Sequence, residues 1–145
     1  MRTLCISIGN PLRGDDGVAH RVLDLLESTM SASFVRAQQL TPEISEEIAR
    51  AQNVMIIDAD ANAGAPRIET IPWQSSRSSP LAHAMSPKEV VGLAAELFGF
   101  DGTAFLCHVP GLKFDPGQGL SAAAEANAQR AQKIIRRFYG KRQHQ

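Results

Sequence analysis

The sequence lacks a net charge and any long apolar run. Its 15 Lys and Arg residues balance its 15 Asp and Glu residues, so no global field attracts nucleic acid or an anionic membrane surface. No stretch approaches the roughly 20 apolar residues that a membrane span requires, and the N-terminus lacks the basic and apolar regions of a secretory signal. We therefore expect a cytoplasmic protein with no nucleic-acid or membrane partner.

Two nucleotide-binding motifs are absent as well. No Gly-x-Gly-x-x-Gly occurs, so nothing supports a dinucleotide site. Residues 9–14 have the Gly-x-x-x-x-Gly spacing of a phosphate loop, but Asp15 and Asp16 follow where Lys and Ser or Thr would be needed. Carboxylates at those positions would repel phosphate oxygens. The pattern therefore argues against a nucleotide ligand.

Cysteine is scarce, with only two residues in the chain. Cys5 and Cys107 each lie inside an apolar run, which predicts buried thiols in the middle of strands. Neither precedes a helix start that would lower the pKa of its thiol, so neither is suited to act as a nucleophile. Two buried thiols favour a reducing, cytoplasmic location.

What the sequence does contain is an alternation of strand and helix patterns. The apolar spacing predicts strands at residues 4–8, 34–37, 54–57, 67–71 and 103–109, and helices that begin near residues 16, 42, 87 and 121. A chain of 145 residues suits one domain. We predict one α/β domain over residues 1–140 and a basic tail at 141–145. Its architecture is a three-layer, phosphorylase/hydrolase-like sandwich around a five-stranded twisted sheet, mostly parallel with one antiparallel strand.

Local signals refine the helix and loop boundaries. Ser86 and Glu89 have the spacing of a capping box at the start of the third helix, whose predicted buried face includes Leu97 and Phe98. The third strand is predicted to end at Asp58, with a loop over 59–66. Residues 74–82 are polar and rich in turn formers, which is typical of a mobile segment or lid. The last helix is predicted to run to about Tyr139.

Three ionisable side chains fall at the ends of these elements: Asp16 after the first strand, Asp58 after the third, and His83 ahead of the third helix. Loops at the carboxyl ends of neighbouring parallel strands lie about 5 Å apart, so Asp16 and Asp58 are expected to converge. Two carboxylates repel unless one is protonated or a cation lies between them, and an imidazole completes a site for a divalent metal. Taken singly, Asp16 also suits a helix N-terminus and His83 also suits the surface. Only their conjunction favours a site.

Other residues offer weaker or different interpretations. His108, at the end of the last strand, is a second histidine for the crevice, whereas His20 falls on a helix. Phosphoacceptor receiver domains also use an acidic pair, an Asp after the third strand, and a Lys after the last strand, here Lys113. A receiver-like signalling domain with a magnesium-binding acidic pocket is therefore the alternative from another functional class.

Four motifs, in this order along the chain, resemble those of the nickel-iron hydrogenase maturation endopeptidases. Ser-Ile-Gly-Asn-Pro-Leu-Arg-Gly-Asp-Asp-Gly-Val, at 7–18, is similar to their N-terminal signature, and Met-Ile-Ile-Asp-Ala-Asp, at 55–60, to their third strand. His-Ala-Met-Ser-Pro, at 83–87, resembles the segment of their conserved histidine. Gly-Gln-Gly-Leu-Ser, at 117–121, resembles the start of their last helix.

The resemblance implies an activity and a set of site residues. It implies that Asp16, Asp58 and His83 are both catalytic and metal-contacting, and that the enzyme removes the C-terminal extension of a hydrogenase large-subunit precursor. In that family Ni²⁺ arrives with the precursor and serves as the recognition signal. Zn²⁺ or Cd²⁺ is expected to occupy the same ligands in crystals.

The resemblance also defines a substrate loop and two departures. The loop residues are Gly9, Asn10, Asp15 and Gly17. Ser7 and Ala19 each stand where many members have Gly. These departures leave the three predicted ligands unchanged, and they leave an inactive or repurposed homologue as a further alternative.

Overall fold

The computed structural model describes residues 2–72 and 85–143. Its strands are β1 (Thr3–Ile8), β2 (Ser33–Ala37), β3 (Asn53–Asp60), β4 (Arg67–Thr70) and β5 (Thr103–Pro110). Its helices are α1 (Val18–Glu27), α2 (Pro42–Ala49), α3 (Pro87–Phe98) and α4 (Ala122–Gln143), and a 3₁₀ turn (Gly14–Gly17) precedes α1. None of the helices in the described ranges is both long and apolar enough to cross a membrane.

The five strands form one sheet in the order β2-β1-β3-β5-β4. The first four strands in that order pair in parallel, and β4 pairs with β5 in the antiparallel sense at the edge. The predicted α/β fold, with one antiparallel strand, is confirmed. Receiver domains instead have the doubly wound strand order 2-1-3-4-5. The exchanged and reversed last strands contradict the receiver alternative.

Helices cover both faces of the sheet, which explains why the central strands are apolar throughout. One core cluster joins residues such as Cys5, Met55 and Cys107 to α1 and α4. The other joins residues such as Ile6 and Ile56 to α2 and α3. Cys5 and Cys107 are fully buried free thiols, as the apolar runs predict.

Strand β3 is longer than the sequence suggests. The prediction that it stops at Asp58 is wrong, because β5 continues to pair with it: Asp58 lies opposite His108, and Asp60 lies opposite Pro110. The carboxylate of Asp60 accepts hydrogen bonds from the Asn62 amide and from Arg67. Neighbouring-strand pairing and this side-chain bonding keep a polar segment in the sheet, although the sequence pattern is that of a loop.

Two helix ends also differ from the prediction. The capping box at Ser86 and Glu89 is present, but Leu97 is 65 % exposed and Phe98 is 46 % exposed. The helix stops at a left-handed Gly99, and the buried position is taken by Phe100, which lies beyond the helix. The last helix, α4, continues past Tyr139 to Gln143.

Candidate active site

The strand order creates a crevice between β1 and β3. From β1 the chain goes to β2 on one side and then crosses over to β3 on the other. In open α/β sheets, ligands bind at such a switch point, outside the carboxyl ends of the strands. The loop after β1 carries Asp16, and Asp58 lies near the carboxyl end of β3, opposite Ile8 in the pairing register. The topology therefore directs both acids to the same crevice.

The loop after β1 holds Asp16 at a defined position. The amide of Asn10 donates a 2.6 Å hydrogen bond to Oδ2 of Asp16. Gly9 has a φ of +152°, and a Cβ there would lie 1.9 Å from the carbonyl oxygen of Asp16. This close approach requires glycine. The backbone of residues 9–10 thus packs directly against Asp16 and binds one of its two carboxylate oxygens.

The Asp58 carboxyl is destabilised in its charged form. Its pKa is raised from 3.8 to about 6, mainly by burial and also by the nearby negative charges of Asp16 and Asp60, against a backbone hydrogen bond from Ala59 and the proximity of His108. Asp60 shows the contrast, because hydrogen bonds from Asn62 and Arg67 lower its pKa. Asp16 and Asp58 therefore form a repelling pair, which is the condition under which a cation binds favourably between carboxylates.

Among the described residues, His108 is the histidine that strand pairing places next to Asp58. The two residues are paired across β3 and β5. The His108 Nε2 lies 2.9 Å from Oε1 of Glu69, a residue of β4. His108 thus has its own acidic partner on the edge strand, and its side chain is only 19 % exposed.

Asp15 joins the loop after β1 to the loop between β5 and α4. Its side chain is fully buried and accepts hydrogen bonds of 2.6–2.8 Å from the amides of Leu112, Lys113 and Ser121 and from the Ser121 hydroxyl. Burial alone would raise the pKa of Asp15, but these hydrogen bonds, led by that of the Ser121 hydroxyl, hold it below its usual range. Asp15 and Asp16 are adjacent in sequence, yet Asp15 is turned inward as a connector.

Comparison with solved structures places this architecture among known proteins. No protein-family model matches the sequence, and no curated protein matches it. The hydrogenase maturating endopeptidase HybD from E. coli aligns with a TM-score of 0.65 and 22 % identity, over 93 % of this chain and 90 % of that chain. The hydrogenase 2 maturation peptidase from a Thaumarchaeota archaeon gives 0.66 and 24 %, over 97 % and 99 %. HycI from Thermococcus kodakarensis, a [NiFe] hydrogenase maturation protease, gives 0.69 and 17 %, over 92 % and 89 %.

The chain has the fold of the hydrogenase maturation peptidases. The similarity covers nearly the full length of this chain and of each of the three proteins. Asp16 and Asp58 border the crevice at the switch point of this fold.

The third predicted ligand of the crevice, His83, lies outside the described residues. The described chain resumes at Met85, whose amide donates to the Leu40 carbonyl oxygen at 3.1 Å. Met85 is buried in the core cluster of α2 and α3. Within residues 2–72 and 85–143, no group of three or more His, Cys, Asp and Glu side chains is arranged to hold a metal ion. The predicted metal set therefore stays a prediction that depends on His83.

His20, which the sequence pattern places only on a helix, contacts the loop that holds Asp16. Its Nε2 lies 2.8 Å from the Gly9 carbonyl oxygen, and its Nδ1 lies 2.7 Å from the Ser7 hydroxyl. The available signal was spacing, because residue 20 is four positions after Asp16 and such residues share one side of a helical segment.

The basic cluster near the C-terminus is remote from this site. Lys133, Arg136 and Arg137 border a cavity of about 590 Å³ with Thr29 and neighbouring residues. This cavity lies between the segment that follows α1 and the C-terminal half of α4, apart from the loops that carry Asp16 and Asp58.

Proposed function

We propose that this protein is a hydrogenase maturation endopeptidase that removes the C-terminal extension of a nickel-loaded large-subunit precursor. The observation that carries the proposal is the pairing of Asp16 and Asp58 at the switch point of a maturation-peptidase fold. The free, buried thiols of Cys5 and Cys107 support a cytoplasmic location.

Electrostatics gives a reason for the precursor's nickel to act as the recognition signal. In the absence of a cation, Asp16 and Asp58 repel each other, and Asp58 is costly to ionise. A precursor that presents Ni²⁺ supplies the missing positive charge, whereas a nickel-free precursor leaves both carboxylates uncompensated. The enzyme would therefore discriminate between the two forms by the charge of the cargo ion rather than by a resident metal.

His83 is assigned the third ligand position in this proposal. The support is the resemblance of residues 83–87 to the histidine segment of the family, together with the point at which the described chain resumes. Met85 belongs to the same core cluster as Ile6 and Ile56. Side chains alternate along a strand, so Asp58, two residues after Ile56 in β3, faces the same side of the sheet as this cluster. A neutral imidazole and two carboxylates form an N,O donor set that suits Ni²⁺.

The chemistry follows from a cation held beside the scissile peptide bond. Such an ion, held by Asp16, Asp58 and His83, would polarise the carbonyl and lower the pKa of the attacking water molecule. A general base works best when its pKa lies near the operating pH. Asp16 or Asp58, the two carboxylates beside the ion, would take the proton of that water.

The direct test is to incubate the enzyme with nickel-loaded and nickel-free precursor and to measure intact mass. We expect loss of a C-terminal peptide from the loaded form alone. Asp16→Ala, Asp58→Ala and His83→Ala should each abolish cleavage, while Asp101→Ala, which removes an exposed carboxylate after α3, serves as the matched control. Cleavage of both forms would contradict nickel recognition. Cleavage of neither by a folded enzyme would favour the inactive-homologue alternative.

A further inference from the structure

His20 forms two hydrogen bonds that reach the wall of the proposed active site. Because a carbonyl oxygen only accepts, Nε2 of the ring must carry the proton that is donated to the Gly9 oxygen at 2.8 Å. In the neutral ring, Nδ1 is then the acceptor for the Ser7 hydroxyl at 2.7 Å. Ser7 is fully buried in β1, so it provides a fixed point for the imidazole of a residue in the first turn of α1.

The peptide between Gly9 and Asn10 transmits this contact to Asp16. A trans peptide is planar, and its C=O and N–H point in opposite directions. The oxygen of this peptide is held by His20, and its N–H donates the 2.6 Å hydrogen bond to Oδ2 of Asp16. Fixing one end of the peptide therefore fixes the direction of the other. The connected chain runs from Ser7 through His20 and the Gly9–Asn10 peptide to the Asp16 carboxylate.

We propose that His20 is a positioning residue that holds the Gly9–Asn10 peptide so that its amide binds one oxygen of Asp16 and leaves the other oxygen for the cation or water of the reaction. The role given to Asp16 rests on the proposed function. The positioning itself rests on the three hydrogen bonds of this chain. His20 touches neither substrate nor ion in this scheme and acts only through the peptide.

The immediate consequence is a spectroscopic signature at Asn10. A short hydrogen bond from an amide to a carboxylate is charge-assisted, so the Asn10 amide proton should resonate at the downfield edge of the amide region in wild-type protein. The His20 ring should be the tautomer with the proton on Nε2, as read from its ¹⁵N shifts. Both measurements use the unaltered protein without any metal. The opposite tautomer, or an ordinary Asn10 shift, would overturn the proposal.

Two amide substitutions separate the contacts of the two ring nitrogens. In His20→Gln the side-chain N–H₂ group falls close to the position of Nε2 and still donates to Gly9. In His20→Asn the amide reaches only the position of Nδ1 and the Ser7 contact. We expect His20→Asn to move the Asn10 amide proton upfield and His20→Gln to keep it near its wild-type shift. Equal shifts in both variants would overturn the proposal.

The affinity for Cd²⁺ alone, measured by calorimetry, tests the role of His20 without a proteolysis assay. Removal of residues that orient metal ligands costs about 10- to 100-fold in metal affinity or activity. We expect that loss in His20→Asn and no more than a few-fold change in His20→Gln. In cleavage of nickel-loaded precursor, we expect His20→Asn to lose kcat/KM by a similar factor, because the misplaced Asp16 binds the precursor's ion less well, and His20→Gln to lose no more than a few-fold.

The two proposals fail in different ways. If wild-type protein binds no Cd²⁺ and cleaves no precursor, the proposed function is contradicted, and the Asn10 shift still decides whether His20 positions Asp16. If wild-type protein binds and cleaves but His20→Asn matches His20→Gln in Cd²⁺ affinity and kcat/KM, the positioning role is contradicted and the proposed function stands. Urea unfolding of both variants confirms that folded proteins are compared.

Discussion

Asp58→Asn should stabilise the protein at neutral pH while removing a residue of the proposed active site. The carboxyl of Asp58 is held near Asp16 and away from water, so its charged form is disfavoured in the folded state. An amide of similar shape carries no charge to desolvate or to repel. The wild-type Asp58, which we propose for catalysis, is therefore expected to lower the free energy of unfolding relative to Asn.

The size of the effect follows from linkage. The pKa of Asp58 rises from 3.8 to about 6 on folding, and each pH unit of difference corresponds to about 1.4 kcal/mol, which gives an upper value of about 3 kcal/mol. Asp58 is only partly buried, so water screens some of this cost, and we expect about 1–3 kcal/mol. Because folding raises the pKa of Asp58, the wild-type carboxyl costs the folded state nothing below about pH 3.8, where it is protonated in both states. The stability that its protonated form provides is then lost as pH rises through about 6.

The assay is urea unfolding of wild type and Asp58→Asn between about pH 4 and pH 8 in the presence of a chelator, so that no metal binds. Subtracting the two free energies of unfolding cancels the titrating groups that do not interact with Asp58, such as Asp15. The advantage of the variant should grow mostly between about pH 4 and pH 6.5 and then level off, with equal denaturant slopes for the two proteins. An advantage that does not change with pH, or that shrinks as pH rises, would refute the reasoning.

Three further predictions concern the supports around the site. Asp15→Asn should lower the free energy of unfolding by about 2–4 kcal/mol at neutral pH, because an amide cannot accept all four buried hydrogen bonds. Folding lowers the pKa of Asp15, so the difference from wild type in urea unfolding should shrink as pH falls. A difference that stays constant with pH would contradict this role of Asp15. Gly14→Ala should destabilise the fold by more than about 1 kcal/mol in thermal unfolding, because φ is +56° and a Cβ would lie 2.6 Å from the Lys113 carbonyl oxygen; an unchanged melting temperature would count against this loop geometry. Cys5 and Cys107, whose thiol pKa values burial raises to about 12, should react with a thiol reagent only in urea, and rapid labelling of the native protein would show that the sheet is more open than described.

Sequence patterns predicted most of the fold because most elements are locally determined. Strand β1, the capped start of α3 at Ser86 and the edge strand β4 all carry period, cap or turn signals within a few residues. The errors arose where a distant partner decides the structure. Asp58–Asp60 stays in β3 only because β5 continues beside it, and no local pattern records that pairing.

The same distinction applies to the site. The proximity of Asp16 and Asp58 was predictable because topology brings the ends of β1 and β3 together, while their role in a site stays a prediction. The connecting role of Asp15 was not predictable, since its partners lie about a hundred residues away in the loop before α4. The role of His20 depends on which way one backbone carbonyl points, and a side-chain pattern carries no information about that.

The central claim is that two acids and one imidazole, far apart in the sequence, share a single cation. The most direct measurement is a crystal structure of the protein with Cd²⁺, in which anomalous scattering locates the ion. The account predicts one ion at the carboxyl ends of β1 and β3, bound by oxygens of Asp16 and Asp58 and by a ring nitrogen of His83. An ion bound elsewhere, or His83 out of reach of an ion held by the two acids, would contradict it.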